Sequence, residues 1–306
     1  MMENINSNVT KYPLEIFTKY KSYNHSLPDL FNDFKHNKDD FWKKKHISSL
    51  NSPEIRSYLS SQINKKNMNS QDEALYEKMQ GLLNKLGNTN FDEIGNEIKE
   101  LPYVKHKHIF KLCESIIIKS INEPSFCTMY AKLCKILLPY YITEEIKNNN
   151  EKKEEHVYFK TALIIISQDI FEELTKTRPI GKLFKYNRSV DYTKLKIAGL
   201  MKFLAELYNC GVLNDKIINQ CFMTLYKLIL DGQDYYDALN VFTQAFIKKM
   251  KSDNPVIYDK LKQEIHNLAH ENDILYEGEK YTFKFPKLMF KFKIMETIDS
   301  FNNLEK

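Results

Sequence analysis

The chain has 306 residues, 42% of them hydrophobic and 13% aromatic, which is ample side chain for a sizeable buried core and too much for a wholly disordered protein. Its 8 Gly and 9 Pro are too few for an all-β protein, which needs a turn about every ten residues. The net charge of +5 is compatible with an RNA partner without requiring one. With arginine limited to Arg56, Arg178 and Arg188, such contacts would fall on phosphate rather than on base edges.

Residues 1 to about 68 mix short apolar clusters with Asn, Ser, Lys and Asp and lack a sustained helical period, which predicts an extended or partly disordered arm. Glu3, Asn4, Asn6 and Asn8 stand where a signal peptide would need an apolar run. No stretch approaches the roughly 20 apolar residues of a membrane span, so a soluble cytoplasmic protein is expected. Within the arm, Pro13 can open a short helix placing Tyr12, Ile16 and Tyr20 on one face with Phe17 at its border.

From Gln71 the pattern becomes a succession of amphipathic helices. The first carries Ala74, Leu75, Met79, Leu82, Leu83 and Leu86 and stops at Gly87. Asn90 with Glu93 predicts a capping box for the second, whose apolar face is Phe91, Ile94, Ile98 and Leu101. Helices are then predicted over 106–120 and 124–138, until Pro139. The run from Asn148 to Glu155 has no apolar residue and predicts a solvated loop or a frayed helix end. A helix over 157–176 follows, then a polar loop from Lys182 to Asp191, then helices over 191–209, 215–230, 235–251, 255–271 and 286–302. Adjacent helices pair at a period of roughly 40 residues, which predicts an all-α, HEAT-repeat-like solenoid of about five antiparallel pairs over 69–306, preceded by the arm over 1–68. A solenoid offers a long surface rather than a deep pocket.

Chemistry finds no support in the motifs. Phosphate-loop, dinucleotide and zincin signatures are all absent from the sequence. His266 and His270 sit one helical turn apart, but no acid directly follows the first and no Cys lies nearby, so ordinary surface histidines are expected rather than a metal site. His106 and His108 diverge on a helix and are expected to be solvated, as are the neighbouring carboxylates Glu144 with Glu145 and Glu172 with Glu173. The five cysteines, Cys113, Cys127, Cys134, Cys210 and Cys221, lie in apolar periodic segments without a C-x-x-C pair and read as buried reduced thiols. A non-catalytic protein without metal or cofactor is the expectation.

Four segments carry more than periodicity. Gly81-Leu82-Leu83-Asn84-Lys85-Leu86 with Asn90-Phe91-Asp92-Glu93-Ile94, and then Ile121-Asn122-Glu123-Pro124-Ser125-Phe126 with Tyr130-Ala131-Lys132-Leu133-Cys134, resemble the opening signatures of the middle domain of translation initiation factor 4G. The segment from Lys196 to Tyr208 resembles that domain's third hairpin, although Gly199 is shifted and Ala205 replaces the family glycine; Phe290 to Asp299 is similar to its end. The resemblance runs from about residue 71 to 303. It implies a monomeric initiation scaffold, without activity of its own, that binds the DEAD-box helicase factor 4A and RNA. Carried over residue by residue, it places helicase contacts at Asn84, Lys85, Asn122, Glu123, Pro124, Phe126 and Phe292, with Phe292 equally open to being a core side chain.

The arm has a family reading of its own. Lys11-Tyr12-Pro13-Leu14-Glu15-Ile16-Phe17-Thr18 resembles the motif by which factor 4G docks on the cap-binding factor 4E, with Phe17 standing for Leu and Thr18 for the last hydrophobe; Ser26-Leu27-Pro28 follows. Tyr12, Ile16, Phe17, Tyr20 and Leu27 are the candidate anchors, and packing of the same cluster on the solenoid is the alternative. RNA-binding candidates are Lys182, Lys185, Arg188, Lys194 and Lys196 with Lys202, and Lys248, Lys249 and Lys251. The Lys- and aromatic-rich stretch from Lys280 to Lys293 can be a base-stacking surface, or a helix opening at Pro286 whose aromatics turn inward. An adaptor of the poly(A)-binding-partner, splicing or mRNA-decay type shares this domain and is the rival role. A chain this short with AT-rich codon usage is expected to be a minimal version encoded by a large DNA virus.

Overall fold

The computed structural model describes residues 70–148, 151–175, 190–270 and 273–305. In chain order these form α1 (Ser70–Lys85), α2 (Phe91–Lys99), α3 (His106–Asn122), α4 (Cys127–Leu137), β1 (Tyr141–Asn148), β2 (Glu151–Tyr158), α5 (Phe159–Leu174), α6 (Val190–Asn209), α7 (Asp215–Leu230), α8 (Tyr236–Asp253), α9 (Pro255–Ala269), β3 (Asp273–Tyr276), β4 (Glu279–Thr282) and α10 (Leu288–Asn303). The helices pair as α1 with α2, α3 with α4, α5 with α6, α7 with α8 and α9 with α10. Even-numbered helices stack each on the next, while α1 packs on α3, α3 on α5 and α7 on α9. This is the expected all-α, HEAT-like solenoid.

A nine-residue helix such as α2 is marginal alone. It forms because Ile94 and Ile98 are buried against the first two pairs, each contributing roughly 1.5–3 kcal/mol. Central α3 and α6 are covered from more sides. Ile109, Leu112, Ile116 and Ile117 of α3 and Leu200, Met201, Phe203 and Leu207 of α6 are all buried. Helix starts follow local chemistry: the Asn214 side chain accepts a hydrogen bond from the Ile217 N–H at 3.0 Å, and Asn254 from the Ile257 N–H at 3.2 Å, ahead of Pro255 in the first turn of α9.

Several local expectations are corrected. The polar run ending at Glu155 lies largely in an antiparallel hairpin, β1 on β2, with Tyr141 opposite Tyr158 and Ile142 opposite Val157. Its base is sealed by the Phe159 N–H donating to the Tyr140 carbonyl at 2.9 Å and by buried Ile142, so α5 starts at Phe159 rather than Val157. A second hairpin, β3 on β4, follows α9. Glu277 and Gly278 both have positive φ (50° and 84°), the two-residue turn that matches strand twist and that glycine favours. Its Tyr276 packs on Tyr226 of α7 at 5.7 Å between ring centres. Asn90 precedes α2 without capping it. Its Oδ1 accepts from the Gly87 N–H at 2.7 Å and its Nδ2 donates to the Lys85 carbonyl at 2.9 Å, so the side chain ties back to the end of α1.

His108 is buried rather than solvated. Its Nδ1 accepts the Val104 N–H at 3.2 Å, which fixes a neutral ring whose Nε2–H donates to Asp72 Oδ1 at 2.9 Å. Lys105 and Lys107 converge on the same buried carboxylate, joining the first turn of α1 to the start of α3. Glu172 and Glu173 are also buried, with Gln168 donating to Glu172 Oε1 at 2.8 Å. The cysteines are free thiols, four of them buried and Cys210 half-buried.

Candidate partner-docking surfaces

The end of α3 is built by a change of helix type. Lys119 accepts the Glu123 N–H at its carbonyl (2.8 Å), and Pro124 then opens a 3-10 turn, Pro124–Phe126, that redirects the chain into α4. Among the described residues nothing apolar covers the outside of this turn: Asn122, Pro124 and Ser125 are exposed and Phe126 is 46% exposed. Underneath lies a polar network. Lys119 Nζ donates to Asn84 Oδ1 at 2.9 Å and to Glu123 Oε1 at 2.8 Å, and the Tyr130 hydroxyl donates to Glu123 Oε2 at 2.8 Å. Burial by itself would raise the Glu123 pKa; the hydrogen bonds from Lys119 and Tyr130 outweigh it and hold the carboxyl below its ordinary value. Lys196, reaching across from α6, donates to Asn122 Oδ1. The helices meet there because Gly199 has no side chain: a Cβ would lie 2.7 Å from the Ile121 carbonyl oxygen. The structure therefore brings Asn84, Asn122, Glu123, Pro124 and Phe126 together, with Lys85 exposed beside Asn84 at the end of α1.

A second surface lies on α10. Phe290, Ile294, Thr297, Ile298 and Phe301 form its inner face, with Phe290 stacked on Tyr236 at 4.4 Å and Phe301 against Tyr258 at 5.2 Å. Phe292 falls outside that stripe and is 59% exposed, which settles its position as surface rather than core. Leu288, Met289 and Met295 are exposed with it. Sequence reading missed these three, although 288, 292 and 295 already have helical spacing offset from the 290, 294, 297 and 301 stripe. The helix opens at Leu288, not Pro286, and the inward alternative for this stretch holds only in part: Phe283 and Phe290 turn inward, Tyr281 and Phe285 are half-buried and Phe292 faces outward.

Among the lysines considered for RNA, Lys194 pairs with Asp234 and Lys196 is buried. Lys249 pairs with Asp253 at 2.6 Å over the Tyr208 ring, Lys251 donates to the Leu304 carbonyl at 2.6 Å, and Lys248 is exposed. Lys182, Lys185 and Arg188 lie outside the described residues, as do Tyr12, Ile16, Phe17, Tyr20 and Leu27 of the arm. His266 is half-buried and His270 exposed. Among the described residues no group of three or more His, Cys, Asp or Glu can hold a metal ion, and no helix is long and apolar enough to cross a membrane.

The family model described as MIF4G domain matches residues 76–281. This chain belongs to the MIF4G domain family. Its domain is 28% identical over 176 residues to eukaryotic translation initiation factor 4 gamma 2 of Homo sapiens, a match covering 54% of this chain and 19% of that protein. It is 25% identical over 180 residues to eukaryotic translation initiation factor 4 gamma of Schizosaccharomyces pombe, covering 53% and 13%, and 26% identical over 199 residues to factor 4G of Triticum aestivum, covering 60% and 12%. The matches thus span a fifth or less of these relatives' lengths. The crystal structure of the MIF4G domain of Trypanosoma cruzi translation initiation factor EIF4G5 aligns with a TM-score of 0.44 and 18% identity, covering 76% of this chain and 97% of that one.

Proposed function

We propose that this MIF4G domain is a translation-initiation scaffold with no chemistry of its own, which holds a DEAD-box helicase, initiation factor 4A, in a productive arrangement. The observation that carries the reading is a pair of exposed aromatic surfaces on one stacked helical array, Phe126 on the second pair and Phe292 on the fifth. A rigid platform that touches a two-lobed helicase at two points favours whichever lobe arrangement satisfies both. It thereby shifts a population without catalysing a step. RNA would be held through phosphate at Lys248 with Lys249 and Lys251, and the Tyr12 arm would recruit the cap-binding factor 4E in the cytoplasm.

Binding of purified factor 4A to the full chain tests this. Phe126→Ala and Phe292→Ala should each weaken the complex about tenfold, since truncating an exposed aromatic anchor removes partner contact. If the intact chain captures no helicase, the reading fails. Capture of factor 4E that disappears with Tyr12→Ala supports the arm's role; a helicase-binding chain that ignores factor 4E favours the adaptor role instead.

A further inference from the structure

We propose that Lys119 and Lys196 are positioning residues: a two-lysine clamp beneath the Asn122–Phe126 turn that fixes the geometry in which it meets its partner. This rests on reading the turn as a docking surface. Asn122 and Glu123 are neighbours in sequence and diverge at the end of α3, so one support cannot hold both. Each is held by a cation from a different direction. Lys119 lies one helical turn before Glu123 and bonds its carboxylate at 2.8 Å, while also reaching Asn84 on α1 at 2.9 Å. Lys196 comes from α6, 74 positions further along the chain, and bonds Asn122. Three separate elements, α1, α3 and α6, thereby share one arrangement of polar side chains.

Burial separates this role from a general surface charge. The Lys119 side chain is 12% exposed and Lys196 7%, whereas a lysine serving RNA phosphate must present its ammonium to solvent. Withdrawing most of a lysine side chain from solvent is costly, and apolar replacements often match largely buried ion pairs in stability, so stability alone is a weak reason to place two cations here. Both sit at the carbonyl end of α3, where the helix dipole favours positive charge. Gly199, one turn after Lys196, removes the side chain that would hold α6 away from Ile121, which allows the Lys196 ammonium to reach Asn122. The clamp and the close helix approach are parts of one construction.

The test measures affinity of the full chain for purified factor 4A, with circular dichroism confirming that each variant is folded. Lys119→Met and Lys196→Met should each weaken binding roughly fivefold to tenfold, and Tyr130→Phe added to Lys119→Met should cost less than about twofold more, because buried Tyr130 and Lys119 both act through Glu123 and coupled groups are not additive. Lys119→Arg, which keeps a cation and donors, should recover much of the affinity. RNA affinity and its salt dependence should be unchanged in Lys196→Met, since no phosphate contact is removed. Four outcomes overturn the clamp. One is wild-type affinity in both Met variants while Phe126→Ala loses binding. Another is full additivity of Lys119→Met with Tyr130→Phe, and a third is a reduced salt slope for RNA in Lys196→Met. If Phe126→Ala itself leaves binding intact, the turn is not the docking surface and the clamp falls with it.

Discussion

Gly199 offers a test in which the sign of the effect is informative. In an unobstructed helix interior, replacing Gly by Ala stabilises by about 1 kcal/mol through lower unfolded-state entropy and better helix propensity. At Gly199 the new Cβ would stand 2.7 Å from the Ile121 carbonyl oxygen, 3.1 Å from its Cα and 3.3 Å from its carbonyl carbon. All three are backbone atoms, so no rotamer change relieves the contact and α6 must move away from α3. Overpacking of this kind costs about 2–3 kcal/mol, which leaves a net loss of about 1–2 kcal/mol after the helix gain is subtracted. For a domain of this size that lowers the melting temperature by roughly 2–8 °C. The matched control is Gly81 within α1, where a Cβ meets nothing within 4 Å; Gly81→Ala should raise stability by about 1 kcal/mol. Thermal and urea unfolding followed by circular dichroism read both variants. A Gly199→Ala protein that melts at or above the wild-type temperature would refute the close-approach argument.

Acid should destabilise the fold in two stages. Burial lowers the His108 pKa below 6.5 despite the hydrogen bond to Asp72, so its neutral ring contributes fully above about pH 6.5 and progressively less as pH falls. For Asp72 burial alone would raise the pKa from 3.8, and hydrogen bonds from Lys107, His108 and Lys105 depress it instead; that contribution is complete above about pH 4 and is lost on further acidification. Urea midpoints measured from pH 7 to pH 3 should fall throughout, and Asp72→Asn should lower the neutral-pH midpoint by about 2–3 kcal/mol equivalent while flattening the acid limb. Equal midpoints at pH 7 and pH 5 would contradict the His108 assignment. Burial raises the cysteine thiols, Cys127 to about 11 and Cys221 to about 12, so iodoacetamide should label half-buried Cys210 first and Cys221 only on unfolding. On α10, Phe292→Ala should change stability by less than about 0.5 kcal/mol while Phe290→Ala loses about 3–5 kcal/mol; similar losses for both would place Phe292 inside.

Much of the architecture was legible because it depends on local pattern. The apolar stripes of α1 through α4 and of α7 to α9 repeat at helical spacing, and Gly, Asn and Pro mark most of their ends. The hairpins escaped notice because the first has one strand nearly devoid of apolar residues, so its backbone ladder rather than its side chains selects the strand conformation. His108 escaped notice for a different reason. Two polar residues spaced as His106 and His108 are ordinarily solvated, but Asp72, 36 positions before His108, gives it a buried partner, and Glu144, 38 positions after His106, accepts the His106 N–H at 2.6 Å.

Sequence by itself determined the helices, their pairing period, the apolar core and the family resemblance, since each is written in residues close together along the chain. Tertiary structure alone decided that Lys196 lies under Asn122 rather than in solvent, that Lys119 joins Asn84 to Glu123, and that Phe292 points outward while Phe290 stacks on Tyr236. The physical reason is distance along the chain. Helical period constrains which residues share a face, but which face a neighbour covers, and which cation meets which carboxylate, is set by how the repeats stack.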